Sequence, residues 1–66
     1  MQKILKDKNF QIIGYLEESS NGDKVLKDRS FQIVGYYDAR NDVTKTRNFQ
    51  IFGYGDLLVA LLFIRA

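Results

Sequence analysis

Short apolar segments alternate with charged or polar stretches along the chain, and one ten-residue pattern of this kind occurs three times. The copies read KDKNFQIIGY at residues 6–15, KDRSFQIVGY at 27–36 and KTRNFQIFGY at 45–54. Each copy is too short for a helical repeat and is rich in Phe, Ile, Val and Tyr, which fit the pleated surface of a sheet. Because a short apolar segment also precedes each copy, the pattern predicts three β-hairpins, at about residues 3–18, 24–39 and 42–55.

The polar stretch inside each hairpin has the composition of a tight turn. Asp7, Asp28 and Thr46 stand at the first turn position, where a side-chain oxygen can accept hydrogen bonds from the amides that follow. Asn at the third position, as in the first and third copies, tolerates a left-handed backbone. These residue types account for a turn in at least two of the three copies, and Ser30 fits less well.

Strict alternation divides the second strand of each hairpin into two faces. In the first copy they comprise Phe10, Ile12, Gly14 and Leu16 on one side and Gln11, Ile13 and Tyr15 on the other. We expect the first face to pack inside the chain, and the second to be partly covered by another hairpin or a partner, because both are partly apolar. The glycines recur at one register, Gly14, Gly35 and Gly53, where we expect aromatic side chains of neighbouring hairpins to cross the bare backbone.

An apolar segment at residues 57–64 follows the third copy. Asp56 is a suitable N-cap, and Leu and Ala favour helix, which predicts a short helix of about two turns. A seventh strand is the alternative, since eight residues that are apolar on every side carry no periodicity. In either form the segment has to be covered, by the hairpins or by another chain. The sequence thus predicts one all-β or mainly β domain over residues 1–66.

The amino-acid composition limits the catalytic and metal-binding chemistry that the chain can support. The chain has 66 residues and neither Cys nor His, so thiol nucleophiles, imidazole bases and ordinary zinc sites are excluded. The acids lie mainly in predicted turns, and the loops at 21–23 and 38–42 only partly follow the spacing of a calcium loop. We expect a protein that is not an enzyme and has no cofactor or metal. A chain of this size without disulfides or metal has a marginal core, which favours self-association.

Charge gives an alternative function. Ten basic and eight acidic residues nearly balance, but six of the ten basic residues flank the predicted hairpin turns. They are Lys6, Lys8, Lys27, Arg29, Lys45 and Arg47. Beside Phe10, Phe31 and Phe49, this basic rim has the residue types that bind single-stranded nucleic acid. The commoner role of Lys and Arg at such positions is to keep turns soluble and to block strand edges, so nucleic acid is the second hypothesis.

No apolar run approaches the roughly 20 residues of a membrane span, and the N-terminal residues return to charge too early for a signal peptide. We therefore expect a cytoplasmic protein that does not associate with membranes.

The turn and strand pattern resembles that of small bacterial proteins built from Asp-x-Asn-Gly-x-x-Ile-Gly-Tyr hairpin repeats, the group that includes the four-fold beta-flower domains. The resemblance covers most of the chain and rests on the turn residues with Ile13-Gly14-Tyr15, Val34-Gly35-Tyr36 and Phe52-Gly53-Tyr54. This chain has Phe in place of the turn glycine and three hairpins in place of four. The resemblance implies a hairpin-repeat fold and brings no catalytic residues, because no activity is established for the group.

The sequence therefore predicts a non-enzymatic protein that acts through self-assembly or through binding of another protein. A homo-oligomer is the first expectation, since the terminal segment and the Tyr face both need cover. The expected interface residues are Leu57, Leu58, Leu61, Leu62, Phe63, Tyr15 and Tyr36.

Overall fold

Residues 2–64 are described by the structure, a computed structural model, and they form six strands and one helix. The strands are β1 Gln2–Lys6, β2 Ile12–Glu18, β3 Lys24–Asp28, β4 Ile33–Asp38, β5 Val43–Thr46 and β6 Ile51–Tyr54, and the helix is α1 Leu58–Ile64. The predicted all-β fold with three hairpins is confirmed. Of the two predictions for the terminal segment, the helix is correct and the seventh strand is wrong.

All six strands belong to one antiparallel sheet, and their order in the sheet is their order in the chain. Each repeat supplies one hairpin: β1–β2, β3–β4 and β5–β6. This up-and-down path places the three repeat turns at one end of the sheet and the β2–β3 and β4–β5 loops at the other. Within the described residues, β1 and β6 pair on one side only and form the two edges.

The repeat turns have nearly identical hydrogen bonds. In the first, the Asp7 carboxylate accepts from the amides of Asn9 and Gln11 at 2.8 and 3.0 Å, and the Phe10 amide donates to the Asp7 carbonyl at 3.0 Å. Asp28 makes the equivalent bonds in the second turn, and the Thr46 hydroxyl accepts from the amide of Gln50 at 3.3 Å in the third. The predicted role of the first turn residue is confirmed.

The left-handed residue of each turn, however, is Phe, and the Asn expected to be left-handed in the first and third turns, Asn9 and Asn48, is not. Phe10, Phe31 and Phe49 have φ of 63°, 66° and 66°. They occupy the fourth position of the turn, which is Phe in all three copies.

A β-bulge after each turn changes the faces that simple alternation predicts. Leu5 pairs with Gly14, but the next residue, Lys6, pairs with Ile12, so one extra residue lies in β2. The same shift occurs in β4 and in β6. As a result Gly14 is buried, whereas Phe10 is 82% exposed and Ile12 also faces solvent in part. The expectation that the whole Phe/Ile/Gly face packs inside the chain is therefore wrong for Phe10 and Ile12.

The core lies between α1 and one face of the sheet. Its buried residues are Leu26, Val34, Leu58 and Leu61, with Leu5, Leu16, Tyr37 and Leu62 packed around them. The helix crosses the sheet above the repeated glycines: a Cβ on Gly35 would lie 2.6 Å from Leu61 Cδ1, and one on Gly14 would lie 3.3 Å from Leu62 Cδ2. The glycines do mark a close approach, but leucines of the terminal helix cross them and not the expected aromatic side chains.

The connection from β6 to α1 turns back over β5. The buried Thr44 hydroxyl donates to the Gly55 carbonyl at 2.7 Å and accepts from the Leu57 amide at 2.8 Å. Asp56 forms an ion pair with Lys24 at 2.7 Å. These contacts direct the chain away from the sheet edge and onto the core. Within residues 2–64, the chain contains no helix of the length and apolarity that crossing a bilayer requires.

Candidate interaction surface

Stacked aromatic pairs join neighbouring repeats on the sheet face opposite α1. The Tyr15 and Phe31 ring centroids are 4.3 Å apart with an interplanar angle of 13°, and those of Tyr36 and Phe49 are 4.6 Å apart at 10°. Tyr15 lies between Gly14 and Leu16, which face the helix side, so its own side chain faces the other way. In each pair the Tyr ends one repeat and the Phe comes from the turn of the next.

The stacking has an energetic role. A side chain in the left-handed region costs about 1–2 kcal/mol relative to the right-handed backbone, a cost that glycine does not have. An aromatic pair contributes about 0.5–1.5 kcal/mol beyond the area it buries. Stacking therefore offsets part of the backbone strain at Phe31 and Phe49.

Two rings are left over at the ends of this series. Phe10 is 82% exposed and Tyr54 is 77% exposed, and neither stacks on another ring among residues 2–64. Phe10 belongs to the first of the three repeats and Tyr54 to the third, so neither has a neighbouring repeat on its outer side within residues 2–64. Each edge of the sheet thus carries one ring, Phe or Tyr, of the stacked Tyr–Phe pair that occurs twice inside the sheet.

Lysines accompany the stacked pairs. Tyr15 is directly opposite Lys27 in the β2–β3 ladder, and Tyr36 is directly opposite Lys45 in the β4–β5 ladder. Lys27 also lies 3.5 Å from the Glu17 carboxylate. The two lysines are consequently half-buried within the sheet surface.

The topology brings the predicted basic rim to one end of the sheet. Its other four members, Lys6, Lys8, Arg29 and Arg47, are exposed at or beside the turns. Two carboxylates, of Asp7 and Asp28, lie in the same turns, where they accept backbone amide hydrogen bonds. Acidic groups therefore interrupt the rim.

The helix divides the predicted interface residues into two groups. Leu58 and Leu61 are only 1% and 5% exposed and pack on the sheet of their own chain, and Leu62 is half-buried against the same core. Leu57 and Phe63 remain exposed, as does Val59 between them. Only the second group is available to another molecule, because the fold itself buries the first.

At the other end of the sheet, carboxylates hold the loops. The Tyr37 hydroxyl donates to Asp42 at 2.5 Å, and this hydrogen bond raises the pKa of Tyr37 to about 12. The Asn41 side-chain amide donates to Asp38 at 2.8 Å, which lowers the pKa of that carboxyl. The Asp56 carboxylate, hydrogen-bonded to Lys24, raises the pKa of the lysine.

The acidic residues of the loops at 21–23 and 38–42 accept hydrogen bonds from backbone amides of these loops. Asp23 accepts the Ala39 amide at 2.9 Å, and Asp38 accepts the Arg40 amide at 3.0 Å. Within the described part of the chain, no three acidic side chains converge as a metal site would require.

Sequence reasoning identified the aromatic residues and missed their pairing across repeats. The available signal was a constant spacing: each motif Phe follows the motif Lys by four residues and precedes the motif Tyr by five. Comparison of the chain with protein-family models, with curated proteins and with solved structures gives no match. The resemblance to hairpin-repeat proteins therefore stays a prediction from the repeats themselves.

Proposed function

We propose that the protein is a non-enzymatic assembly module whose role depends on self-association of its hairpin repeats. The supporting observation is that more large hydrophobic side chains are exposed than hydrophobic side chains are buried. Among the described residues, eleven large hydrophobic side chains are exposed, whereas five hydrophobic side chains are buried. Single exposed apolar residues are ordinary, but aromatic and aliphatic groups exposed on this scale are typical of an interaction surface.

The exposed groups lie in two regions. One consists of the sheet edges and the repeat turns, with Phe10, Ile51 and Tyr54 prominent; the other is the outer side of α1, with Val59 and Phe63. A second copy of the chain is favoured as the partner because a small core without disulfides gains stability from burying these groups.

Sedimentation velocity over a range from about 1 µM to 1 mM tests this proposal. The sedimentation coefficient is expected to rise with concentration above the value for a 7.7 kDa chain. Ser20→Lys, a change at an exposed polar loop residue, serves as the control and should sediment like the unaltered protein. A single monomeric species over the whole range would contradict the proposal.

Nucleic-acid binding is the second candidate, favoured by the exposed rings of Phe10 and Phe49 at the sheet end that carries the basic rim. Binding through phosphates strengthens steeply as salt falls. A titration of a labelled single-stranded oligonucleotide at about 50 mM salt decides the matter, since binding that is absent there removes this candidate. Binding that is present and that Arg47→Glu weakens would favour it over self-assembly.

A further inference from the structure

We propose that copies of the chain join head to tail, so that the β6 edge of one copy pairs with the β1 edge of the next and Tyr54 stacks on Phe10 of that next copy. This inference rests on the proposed self-association and names the surface that carries it. The interface would be a shorter form of a junction that each chain already contains twice, at β2–β3 and at β4–β5.

The register of those two internal junctions is the first argument. Both place the motif Tyr directly opposite the motif Lys, as Tyr15 opposite Lys27 and Tyr36 opposite Lys45. In both, the Phe that follows this Lys by four residues stacks on that Tyr. Continued by one step, the pattern places Tyr54 opposite Lys6 of the next copy.

The Phe that would stack on Tyr54 is also present. Phe10 follows Lys6 by the same four residues, and it lies in the same left-handed turn position as Phe31 and Phe49. Each edge of the chain therefore has one half of the aromatic and lysine pattern, and the two halves are on opposite edges, as a head-to-tail contact requires. The internal ladders continue from the glycine to Glu18 and to Asp38, whereas β6 ends at Tyr54, so the pairing between copies is limited to Gly53 and Tyr54.

Strand direction agrees with this arrangement. The six strands alternate in direction, so β1 and β6 run in opposite senses. Two copies set side by side in the same orientation would therefore bring β6 and β1 together as an antiparallel pair. Their terminal helices would then lie on the same face of one continuous sheet.

The β6 edge lacks two of the devices that normally prevent such pairing, and the bulge it carries is shared with β2 and β4, which pair on both sides. β6 consists of Ile51, Phe52, Gly53 and Tyr54, without Pro or any charge. Ile51 is 58% exposed, and the Thr44 contacts take the chain that follows β6 back over β5, away from the edge. Lys3 and Lys6 on β1 do not act as blocks, since their equivalents Lys24, Lys27 and Lys45 lie within paired junctions.

Backbone strain at Phe10 is the last argument. Phe10 has the φ of 63° that Phe31 and Phe49 share, but no ring within the described chain stacks on it to offset the cost. Stacking on Tyr54 of another copy would supply the missing contact. Because the contact uses two different surfaces, it continues indefinitely as a filament or closes into a ring.

Two variants that each block one edge test the proposal. Phe10→Asp removes the ring at the β1 edge and keeps a residue that tolerates the left-handed turn. Tyr54→Lys removes the ring at the β6 edge and sets a charge against Lys6 of the next copy. We expect each variant alone to self-associate at least tenfold more weakly than the unaltered protein. An equimolar mixture should form a heterodimer of twice 7.7 kDa and nothing larger, because one intact β6 edge meets one intact β1 edge.

Ser20→Lys is the control, since it changes an exposed polar residue of the β2–β3 loop, at the other end of the sheet, and should leave association unchanged. Circular dichroism and melting curves establish that each variant is folded. If the folded variants associate as well as the unaltered protein, or if their mixture stays monomeric, the head-to-tail contact is wrong while self-association stands. If the unaltered protein does not associate at all, the proposed function itself fails.

Discussion

Adding one methyl group at Gly35 should destabilise the fold far more than the same change at Gly53. Gly35 is buried beneath α1, and its φ is not in the left-handed region, so Ala meets no backbone strain there. The new Cβ would lie 2.7 Å from the Lys45 carbonyl oxygen and 2.6 Å from Leu61 Cδ1. The carbonyl belongs to the neighbouring strand, and it cannot retreat without disturbing the β4–β5 ladder.

The size of the effect follows from two opposing contributions. Overpacking in a well-packed core costs about 1–3 kcal/mol. Replacing Gly by Ala inside a strand regains about 0.5–1 kcal/mol of backbone entropy. Together these ranges allow a net loss of up to about 2.5 kcal/mol at Gly35. Because both contacts are shorter than 3.0 Å, we expect about 1–2.5 kcal/mol, which in a domain of this size lowers the melting temperature by roughly 4–20 °C.

Gly53→Ala provides the matched control. Its Cβ would meet only Leu57 Cδ1, the end of a flexible and partly exposed side chain that can rotate away. We expect a change in melting temperature of only a few degrees in either direction. Thermal denaturation followed by far-UV circular dichroism measures both variants. Equal melting temperatures for Gly35→Ala and Gly53→Ala, or no change in the first, would refute the view that the repeated glycines make room for the helix.

Three further predictions concern the turns, the loops and the helix. Under dilute, monomeric conditions Phe10→Gly should raise the melting temperature, because glycine relieves the strained left-handed backbone and the Phe10 ring stacks on nothing. Phe31→Gly relieves the same strain but loses the stack on Tyr15, so it should give a smaller gain or a loss. The pKa of Tyr37 is about 12, against 10 for a free tyrosine, so the hydrogen bond to Asp42 stabilises the fold fully below pH 10 and less as the pH rises through 12. Chemical denaturation should therefore show that the difference in unfolding free energy between the unaltered protein and Tyr37→Phe shrinks over that interval. Leu61→Asp places a carboxylate in the core and should leave the chain largely unfolded by circular dichroism; a folded Leu61→Asp variant would contradict the core assignment.

The three hairpins could be predicted because each is determined by residues that are close together in the sequence. Three copies of one motif, each with an apolar segment before it and a turn former inside it, are sufficient to indicate three hairpins, and Asp7 and Asp28 make the bonds that their position in the turn predicts. The boundaries of β2 and β4 lie within the predicted hairpins for the same reason.

The remaining features depend on contacts between distant parts of the chain. Alternation failed near each turn because the left-handed Phe is followed by a bulge, which shifts the side chains beyond it to other faces. The terminal helix packs on the sheet where two glycines, far apart in sequence, leave room for its leucines: Leu62 lies over Gly14 and Leu61 over Gly35. The aromatic stacks were missed because each joins the end of one repeat to the turn of the next.

The most direct measurement of the head-to-tail account is a double-mutant cycle on the association constant, with Phe10→Leu, Tyr54→Leu and the double variant. Leu keeps an apolar side chain and the same backbone cost at residue 10, so the cycle isolates the contact between the rings. The two residues belong to opposite edges of a six-stranded sheet, about 24 Å apart within one chain, so direct coupling between them has to act between copies. The account predicts a coupling free energy of about 0.5–1.5 kcal/mol in association. Strictly additive losses would contradict it.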